Sequence, residues 1–411
     1  MKYTIGQLSE IIDGDRGKNY PQQHEFFDSG YCLFLNTGNV TTEGFSFQST
    51  QFITKEKCDA LRKGKLQRGD IVYTTRGTVG NAAFYNTHVP YEHIRINSGM
   101  VIIRPNEKII CAEFLYQILK SAYYRPYFKQ YCTGSAQPQL PIKNFSQIEI
   151  DIPELSIQHR IADILSAYDN LIENNQKQIK LLEEAAQRLY KEWFVDLRFP
   201  GYEATPVVDG VPKGWAYKPF SDVFSYVRGK SYTSKELSDT TGVLMINLKN
   251  IRSFGGYNRN AEKRFTGRYN ANQILSAGDV IMGVTDMTQE RRLVGHAALV
   301  PDMGETMTFS MDLIKLVPKL TSSLFLYSAL YYGGLSKQIS PLANGVNVLH
   351  LKPDAMMKIK MLIPNAGILE RYHQQISPII AKTELLQKQC DLAAEARDHL
   401  LPKLMSGELE V

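Results

Sequence analysis

The sequence predicts an α+β fold. Two mixed α/β domains form a tandem duplication and are separated by a pair of long antiparallel coiled-coil helices. Short motifs recur along the 411-residue chain at a nearly constant offset. Each copy holds short β-branched and aromatic runs between Gly, Asn and Pro turns, which indicate strands. Each copy then ends in a stretch with alternating three- and four-residue apolar spacing, which indicates a long helix.

The internal repeat is visible as short identical or near-identical segments. The offset between the last pair below is 387 − 176 = 211 residues, and the other pairs lie within two residues of it. A constant offset over such a distance indicates duplication of a whole structural unit. The matching segments are RGKNY (16–20) with RGKSY (228–232), GDI (69–71) with GDV (278–280), FLY (114–116) with FLY (325–327), and QKQ (176–178) with QKQ (387–389).

The first predicted long helix covers Gln158 to Phe194. Its spacing contains one slip, at Leu171/Ile172, and places the polar Asn175 on the apolar seam. A seam of this kind requires a partner helix to bury it. The seam residues are those at 157, 161, 164, 168, 171, 172, 179, 182, 186, 189 and 193.

The second predicted helix begins near Ser377-Pro378, since Ser is a good N-cap and Pro suits the first helical position. Two seams in one chain bury each other most simply as an antiparallel pair, which would place the two domains at opposite ends. The alternative is that each helix packs on its own domain. The second seam is Thr383, Leu386, Cys390, Ala393, Arg397, Leu400 and Leu404.

The repeat and the two helices divide the chain into five parts. The segment between the copies contains Pro and Gly and has no periodicity, so we interpret it as a connector. The predicted parts are a first domain (1–152), a first helix (153–194), the connector (195–213), a second domain (214–363) and a second helix (364–411).

Composition excludes several classes of protein. Hydrophobic content of 43% and charged content of 22% are ordinary for a globular protein. The five Cys are scattered without a Cys-x-x-Cys pair or a His cluster, which argues against a disulfide framework or a zinc site. Neither a signal peptide nor a membrane span is indicated, so we expect a cytoplasmic location. The net charge of +5 is compatible with an anionic partner.

Motifs for catalysis are missing from the sequence. There is no phosphate-binding loop of the Gly-x-x-x-x-Gly-Lys-Ser/Thr type and no Gly-x-Gly-x-x-Gly. No two prolines are adjacent, which excludes the Asp/Asn-Pro-Pro-aromatic site of an amino-methyltransferase. We therefore expect no catalytic residue and no metal ligand on this chain.

Features that suit nucleic acid occur in both copies. A basic segment precedes the Gly-Asp motif each time, at 55–68 and at 259–268, and such cations can neutralise phosphates. Polar, turn-rich loops follow at 74–81 and 285–292, and again at 133–139 and 343–347; Arg, Gln and Asn there can read base edges. Two alternatives remain. The cations could simply form a solvated surface, and any single loop residue could serve to form the turn. The framework residues repeat while the loop residues differ, so we expect two different reading surfaces on one scaffold.

The chain resembles the specificity (S) subunits of Type I restriction-modification enzymes. The segment IDIPELSIQHRIADILSAYDNLIENNQKQIKLLEEAAQRLYKEWFVDLRF (150–199) and the ending HLLPKLMSGELEV (399–411) resemble the two helical regions of that family. GDIVYTTRGTVGNAAF (69–84) and GSAQPQL (134–140) resemble segments of its target-recognition domains. The stretch Ala366 to Glu370 departs from the family pattern.

The resemblance implies a subunit without catalysis of its own. Two modification (M) subunits would carry S-adenosylmethionine and methylate adenine N6, and restriction (R) subunits would add an endonuclease dependent on ATP and Mg. Each recognition domain would read one half of a bipartite double-stranded DNA target. The helices would act as the spacer between the half-sites and as the docking surface for M subunits.

The candidate DNA-binding residues are polar or basic positions in the repeated motifs, the basic segments and the loops. Two other functions stay open: a coiled-coil adaptor that joins protein partners without sequence-specific DNA binding, and a self-sufficient methyltransferase or nuclease. The candidates are Lys18, Tyr20, Asn36, Lys55, Lys57, Lys63, Arg76, Thr78, Ser135, Gln137, Lys230, Tyr232, Asn247, Lys249, Arg264, Arg291, Arg292 and Asn347.

Overall fold

The computed structural model describes residues 1–134, 137–259 and 263–410. Its contacts divide the chain into two compact units. Unit 1 comprises Met1–Asn175 with Gln389–Val411, and unit 2 comprises Gln176–Lys388. Each unit therefore holds one mixed domain and a portion of each long helix. Of the candidate residues, Ser135 lies outside the described residues.

The centre of unit 1 is a four-stranded antiparallel sheet. Its strands, in spatial order, are Ser9–Asp13, Met100–Pro105, Ile71–Thr74 and Ala82–Phe84. Both faces of this sheet are covered. Alternate residues along a strand point to opposite faces, so neighbouring residues enter different cores. Val101 and Ile103 enter the core beneath the helices, while Met100 and Ile102 enter the core beneath a smaller sheet. The continuous apolar run in this strand follows from burial on both faces.

The smaller sheet of unit 1 has the order Phe52–Ile53, Cys32–Leu35 and Ile94–Ile96, and its last pair is parallel. Two helices follow the central strand of this unit, and Ser121 is the C-cap that ends the first of them. The other strands are Lys2–Thr4, Val40–Thr41, Gly44–Phe45 and Glu149–Asp151; the helices are Ile5–Leu8, Lys55–Ala60, Ala112–Lys120, Arg125–Lys129 and Ile142–Ser146, with 3₁₀ turns at Gln23–Glu25 and Thr37–Asn39.

Unit 2 repeats this architecture. Its four-stranded sheet has the order Phe224–Arg228, Leu313–Pro318, Val280–Gly283 and Ala297–Leu299. Its smaller sheet contains Leu237–Ser238, Arg264–Phe265, Val243–Ile246 and Met307–Phe309, and the last pair is again parallel. The same order of strands in both units confirms the tandem duplication.

The remaining elements of unit 2 are short apart from one nine-residue helix. The strands are Val207–Val208, Val211–Pro212, Ala216–Pro219, Thr285–Asp286, Leu349–His350 and Lys360–Ile363; the helices are Phe220–Val223, Ser323–Tyr331, Ser336–Ile339 and Pro353–Met356, with 3₁₀ turns at Tyr202–Ala204, Ser234–Glu236, Leu248–Asn250, Ala271–Gln273 and Ser340–Leu342.

The repeated Gly-Asp motif has a structural function in both units. Asp70 accepts a hydrogen bond from the Gln67 backbone N–H (2.7 Å) and forms a bidentate pair with Arg104 on the adjacent strand. In unit 2, Asp279 likewise accepts from a backbone N–H three residues earlier (2.9 Å) and lies 3.5 Å from Lys315. The motif therefore closes the turn that begins the central strand.

The first long helix spans Leu155–Tyr190 and continues as a π-helical turn, Lys191–Val195. The predicted slip in its seam is wrong. Ile164 and Leu171 are 37% and 44% exposed, whereas Leu165 is buried and Ile172 is half-buried. The covered positions alternate by four and three without interruption: 161, 165, 168, 172, 175, 179, 182 and 186. Sequence alone cannot choose between adjacent apolar residues, because either satisfies a helical spacing within one residue.

The second long helix spans Ala366–Ser406, so the start predicted at Ser377-Pro378 is wrong. Its first turn is instead capped by Asn365, whose Oδ1 accepts from the Ile368 N–H at 3.0 Å. A proline inside a helix costs about 3 kcal/mol. Ile368, Tyr372 and Ile376 before it are all buried, and each such burial contributes about 1.5–3 kcal/mol. The free energy gained by burying these three side chains therefore outweighs the cost of Pro378 inside the helix. The predicted second seam is confirmed, since each of its members is buried or half-buried.

Within unit 1 the two long helices pack antiparallel: residues earlier in the first helix contact residues later in the second helix. The Asn175 side-chain amide donates to Gln389 Oε1 (3.2 Å), and Asp169 pairs with Arg397 (2.6 Å). The first helix also packs on the domain of its own unit, since Gln158 accepts from the Cys111 N–H at 2.9 Å. In unit 1, packing of helix against helix and packing of a helix against its own domain therefore occur together, although the sequence leaves them as alternatives.

Within unit 2 the helices meet through aromatic rings. Tyr372 of the second helix lies 4.8 Å from Phe194 and 5.9 Å from Trp193, measured between ring centroids. Phe325 of the domain is 5.0 Å from Phe194, so the domain and both helices share this cluster. Among the described residues, no helix has the length and apolar content needed to cross a membrane.

Candidate nucleic-acid interface

Five segments of unit 1 converge at one end of its central sheet: residues 14–20, 36–38, 75–80, 97–99 and the described residues of the last loop, 133–134 and 137–139. The register places them there, because Met100 pairs with Thr74 and Val101 pairs with Asp13, so the chain leaves or enters these strands at the same end. The smaller sheet contributes in the same way, with Leu35 opposite Ile96. We call this surface the loop face of unit 1.

Backbone hydrogen bonds tie the loop face together. The N–H groups of Thr75 and Arg76 both donate to the Gly99 carbonyl, at 2.9 and 3.1 Å. The Leu140 N–H donates to the Thr75 carbonyl (2.9 Å), which holds residues 137–140 beside the 75–80 loop. A guanidinium N–H of Arg16 donates to the Ser98 carbonyl at 3.4 Å. Segments distant in sequence thus form one continuous surface.

Asp15 anchors the loop that carries Lys18 and Tyr20, and sequence reasoning missed it. Its buried carboxylate accepts from the backbone N–H groups of Arg62 (2.6 Å) and Arg16 (2.7 Å). Burial alone would raise the pKa of Asp15, but these hydrogen bonds outweigh it and lower the pKa. Asp15 is not repeated in the second copy, so a search for repeated residues could not find it.

The repeated asparagines shape the backbone in both units. Asn36 Oδ1 accepts from the Gly38 N–H (2.8 Å), and the buried Asn39 donates to the Ser46 and Ser49 carbonyls. In unit 2, Asn247 Oδ1 accepts from the Lys249 N–H at 3.0 Å. A cap role accounts for Asn36 and Asn247 without any contact to DNA.

The side chains that project from the loop face of unit 1 are polar. Lys18, Arg76, Thr78 and Gln137 are exposed, and Tyr20 is half-buried with its ring edge-on to Phe34 at 5.7 Å. The side chains of Lys18 and Arg76 make no hydrogen bond or ion pair within the described part of unit 1. They remain available to an anionic or hydrogen-bonding ligand.

The lysines of the first basic segment differ in their surroundings. Lys55 pairs with Asp59 on the same helix (2.6 Å), and Lys57, whose side chain is 18% exposed, pairs with Glu25 (2.9 Å). The exposed Lys63 has no side-chain partner among residues 1–134 and 137–175 of unit 1. Of the three predicted phosphate contacts, Lys63 is the one whose charge is uncompensated.

Unit 2 builds an equivalent loop face from residues 228–232, 247–249, 284–292, 310–312 and 344–350. The Lys230 N–H donates to the Phe309 carbonyl (2.7 Å), and the Met311 N–H donates to the Lys230 carbonyl (2.9 Å). The Val284 N–H donates to the Asp312 carbonyl, and the Val284 carbonyl accepts from the Leu351 N–H, both at 2.8 Å. The last two contacts match those of Thr75 with Gly99 and Leu140 in unit 1.

Asp286 organises the longest loop of this face. Its buried carboxylate accepts from the N–H groups of Leu293 (2.5 Å), Thr288 (2.8 Å) and Val294 (3.2 Å). Burial would raise its pKa, but these donors outweigh that effect and lower the pKa. The tip of the loop, residues 287–292, is therefore fixed from beneath.

The candidate residues of unit 2 differ in their surroundings. Lys249 and Asn347 are exposed, and Lys230 and Tyr232 are half-buried on the loop face. The cations Arg264 and Arg292 are compensated, by Glu305 (2.7 Å) and Glu290 (3.0 Å). Arg291 adopts a left-handed backbone conformation (φ 53°), and its Nε is buried without a partner in the described structure.

Metal-binding geometry is not found in the part of the chain that the structure describes, where no group of three or more His, Cys, Asp or Glu residues could hold an ion. What both loop faces offer is a framework of backbone hydrogen bonds with variable side chains at the tips. This arrangement suits recognition of an extended polar ligand by side-chain contacts.

Comparison with known proteins identifies relatives of the whole chain. The profile of the family described as "Type I restriction modification DNA specificity domain" matches residues 1–184 and again 212–391. The Type I restriction enzyme MjaIX specificity subunit of Methanocaldococcus jannaschii is 27% identical over 84% of this chain and 78% of its own length. The HindI specificity subunit of Haemophilus influenzae is 22% identical over 98% of this chain and 100% of its own.

A solved structure shares the fold. The crystal structure of the Type I restriction-modification system S subunit from M. genitalium superimposes with a TM-score of 0.59 at 14% sequence identity. The match covers 98% of this chain and 95% of that one. The two matched regions of the family profile coincide with the two copies of the internal repeat.

Proposed function

The chain belongs to the Type I restriction-modification DNA specificity family, and we propose that each of its two loop faces reads one half of a bipartite DNA target. The observation that carries this proposal is the recurrence of one framework with different tips. Thr75 and Val284 make the same two backbone contacts, while the residues that follow them differ. One scaffold thus presents two different sets of side chains.

The chemistry of the loop faces fits double-stranded DNA. Lys18 and Lys63 can neutralise phosphates, which gives affinity without sequence preference. Arg76 has the paired donors that suit a guanine edge in a major groove, and Gln137 has the donor and acceptor that suit an adenine edge. Backbone contacts such as Arg76 N–H to Gly99 hold the loop backbone in place, which limits the backbone entropy lost on binding.

Partner subunits complete the proposed activity. Two modification subunits carrying S-adenosylmethionine would methylate adenine N6 within the target that this chain selects, and restriction subunits would supply ATP- and Mg-dependent cleavage. The long helices are the proposed docking surface, and they expose apolar side chains such as Leu181 (64%) and Leu392 (56%). Catalysis would then belong to the partners, in the cytoplasm.

Domain exchange tests the function directly. The full chain, co-expressed with the modification subunits of its host, would be compared with a variant in which residues 1–152 come from a relative of different specificity. Methylated adenines would be mapped across the genome. We expect one half-site to change and the other to persist. A change in both half-sites, or methylation without sequence preference, would contradict the proposal.

A further inference from the structure

The loop face of unit 2 carries three exposed apolar side chains at its tips. Met287, Met311 and Val346 are 79%, 56% and 88% exposed, and each lies on a different segment of that face. Large apolar side chains scattered singly on a surface need no explanation, but three on one binding face indicate an apolar contact. None of them was selected by sequence reasoning, which searched for polar and basic residues.

The three tips belong to one assembled surface. The Thr285 hydroxyl donates to Asp312 Oδ1 (3.0 Å), which joins the loop of Met287 to the turn of Met311. The Gln289 side-chain amide donates to the Val346 carbonyl (2.9 Å), which joins the same loop to the hairpin of Val346. The apolar side chains are thus held by hydrogen bonds between their loops.

The positions of unit 1 that correspond to Met287 and Met311 are polar. Met287 stands four residues beyond the end of its central strand at Gly283, as Thr78 stands four beyond Thr74. Met311 stands two residues before the strand that begins at Leu313, as Ser98 stands two before Met100. The apolar tips are therefore a property of the second unit and not of the scaffold.

The surroundings of the tips favour DNA as the occupant. The Met311 N–H is bonded to the Lys230 carbonyl, Asn347 follows Val346, and Lys249 is exposed on the same face. Lysine and amide side chains on the same face as the apolar tips suit a major groove. There, phosphates line the edges and the thymine C5-methyl is the apolar group among the base edges.

Resting on the proposed DNA-reading function, we propose that unit 2 recognises thymine C5-methyl groups in its half-site through Met287, Met311 and Val346. Each methyl that enters this patch leaves water and packs against a side chain. Removing one such methyl should weaken binding about fourfold, which corresponds to the transfer of one buried CH₂. Specificity of this kind is carried by apolar contact and needs no hydrogen bond.

Deoxyuridine substitution isolates the methyl group, since uracil pairs as thymine does but lacks it. The full chain with its modification subunits would first select its target from random duplex DNA. Domain exchange then assigns a half-site to unit 2. Affinity is measured for duplexes with thymine or uracil at each position of that half-site, using wild type, Val346→Ser, Met287→Ser and the control Val207→Ser. Val207 is also exposed (60%) but lies outside the loop face.

We expect uracil to weaken wild-type binding about fourfold at one or more positions. Val346→Ser or Met287→Ser should abolish the difference at one of them, and Val207→Ser should retain it. Sequence-selective binding with equal affinity for thymine and uracil overturns the inference and leaves the proposed function intact. A uracil effect that both tip variants retain also overturns it. Loss of sequence selection by the wild-type complex contradicts the proposed function itself.

Discussion

Asp169 on the first long helix and Arg397 on the second form an ion pair of 2.6 Å within unit 1. The same carboxylate accepts from Lys120 Nζ (2.7 Å) and from the Gln117 side-chain amide (2.6 Å), both on a helix of the domain. These side chains are largely buried, with Asp169 21% and Lys120 9% exposed. One carboxylate therefore joins both long helices to the domain of unit 1.

Asp169→Asn should destabilise the protein because the buried Lys120 loses its counter-charge and Arg397 keeps only its pair with Asp398 (2.8 Å). Breaking a buried pair on one side costs about 3 kcal/mol in the free energy of unfolding. Denaturant unfolding at pH 7 measures this loss. Asp163→Asn is the matched control, since Asp163 is exposed on the same helix. Equal stability of the two variants would show that the network contributes nothing.

The contribution of Asp169 should also depend on pH. Burial would raise its pKa, but Lys120 and Arg397 outweigh burial and lower the pKa. A carboxyl whose pKa is lower in the folded state stabilises the fold above its unfolded pKa, and that stabilisation is lost as pH falls through the folded value. The stability difference between wild type and Asp169→Asn should therefore shrink below about pH 4. A constant difference would contradict the assignment.

Lys18 and Lys63 should account for part of the salt dependence of DNA binding. Substitution of each by Ala should weaken binding on all sequences alike and reduce the slope of log K against log salt by about 0.9 for each phosphate that is no longer neutralised. Lys57→Ala is the control, because Lys57 is paired with Glu25 and half-buried. If the slope falls for Lys57→Ala and not for Lys63→Ala, then Lys57 and not Lys63 neutralises a phosphate, and the prediction is contradicted.

Arg76 should read a base in the first half-site. Arg76→Ala is expected to cost about 1–3 kcal/mol in binding of the target and to relax selection at one position, as removal of a bidentate guanine contact does. Target selection from random DNA by the variant complex would show this. The half-site of unit 2 serves as the internal control and should stay unchanged. Selection that is relaxed equally in both half-sites would indicate general loss of affinity.

Lengthening both helices should widen the gap between half-sites. Seven residues inserted after Asn175, with seven more inserted before Gln389, preserve the heptad spacing and leave the hydrogen bond between Asn175 and Gln389 intact. Seven residues add about 10 Å of helix, or about three base pairs. Methylation mapping should show this longer gap with unchanged half-sites. Insertion into the first helix alone is the control and should abolish activity.

The polar residue Asn175 favours one alignment of the two long helices over others. It is 2% exposed, and its amide donates to Gln389 Oε1 at 3.2 Å. A single polar pair in an apolar seam disfavours other alignments, in which both groups would lose their partner. The sequence located this residue correctly on the seam. Only the structure supplied its partner, because that partner lies more than two hundred residues away in the chain.

The sequence by itself determined the duplication, the two long helices and the positions of the loops that follow each central strand. These follow from local spacing and from identity at a constant offset, both of which can be read along one dimension. Tertiary structure decided which helix face is buried, where the second helix begins, and which lysines are uncompensated. It also brought unrepeated residues such as Asp15 and Met311 onto the loop faces. The physical reason is that burial and charge compensation depend on partners from distant segments, and local sequence carries no record of those partners.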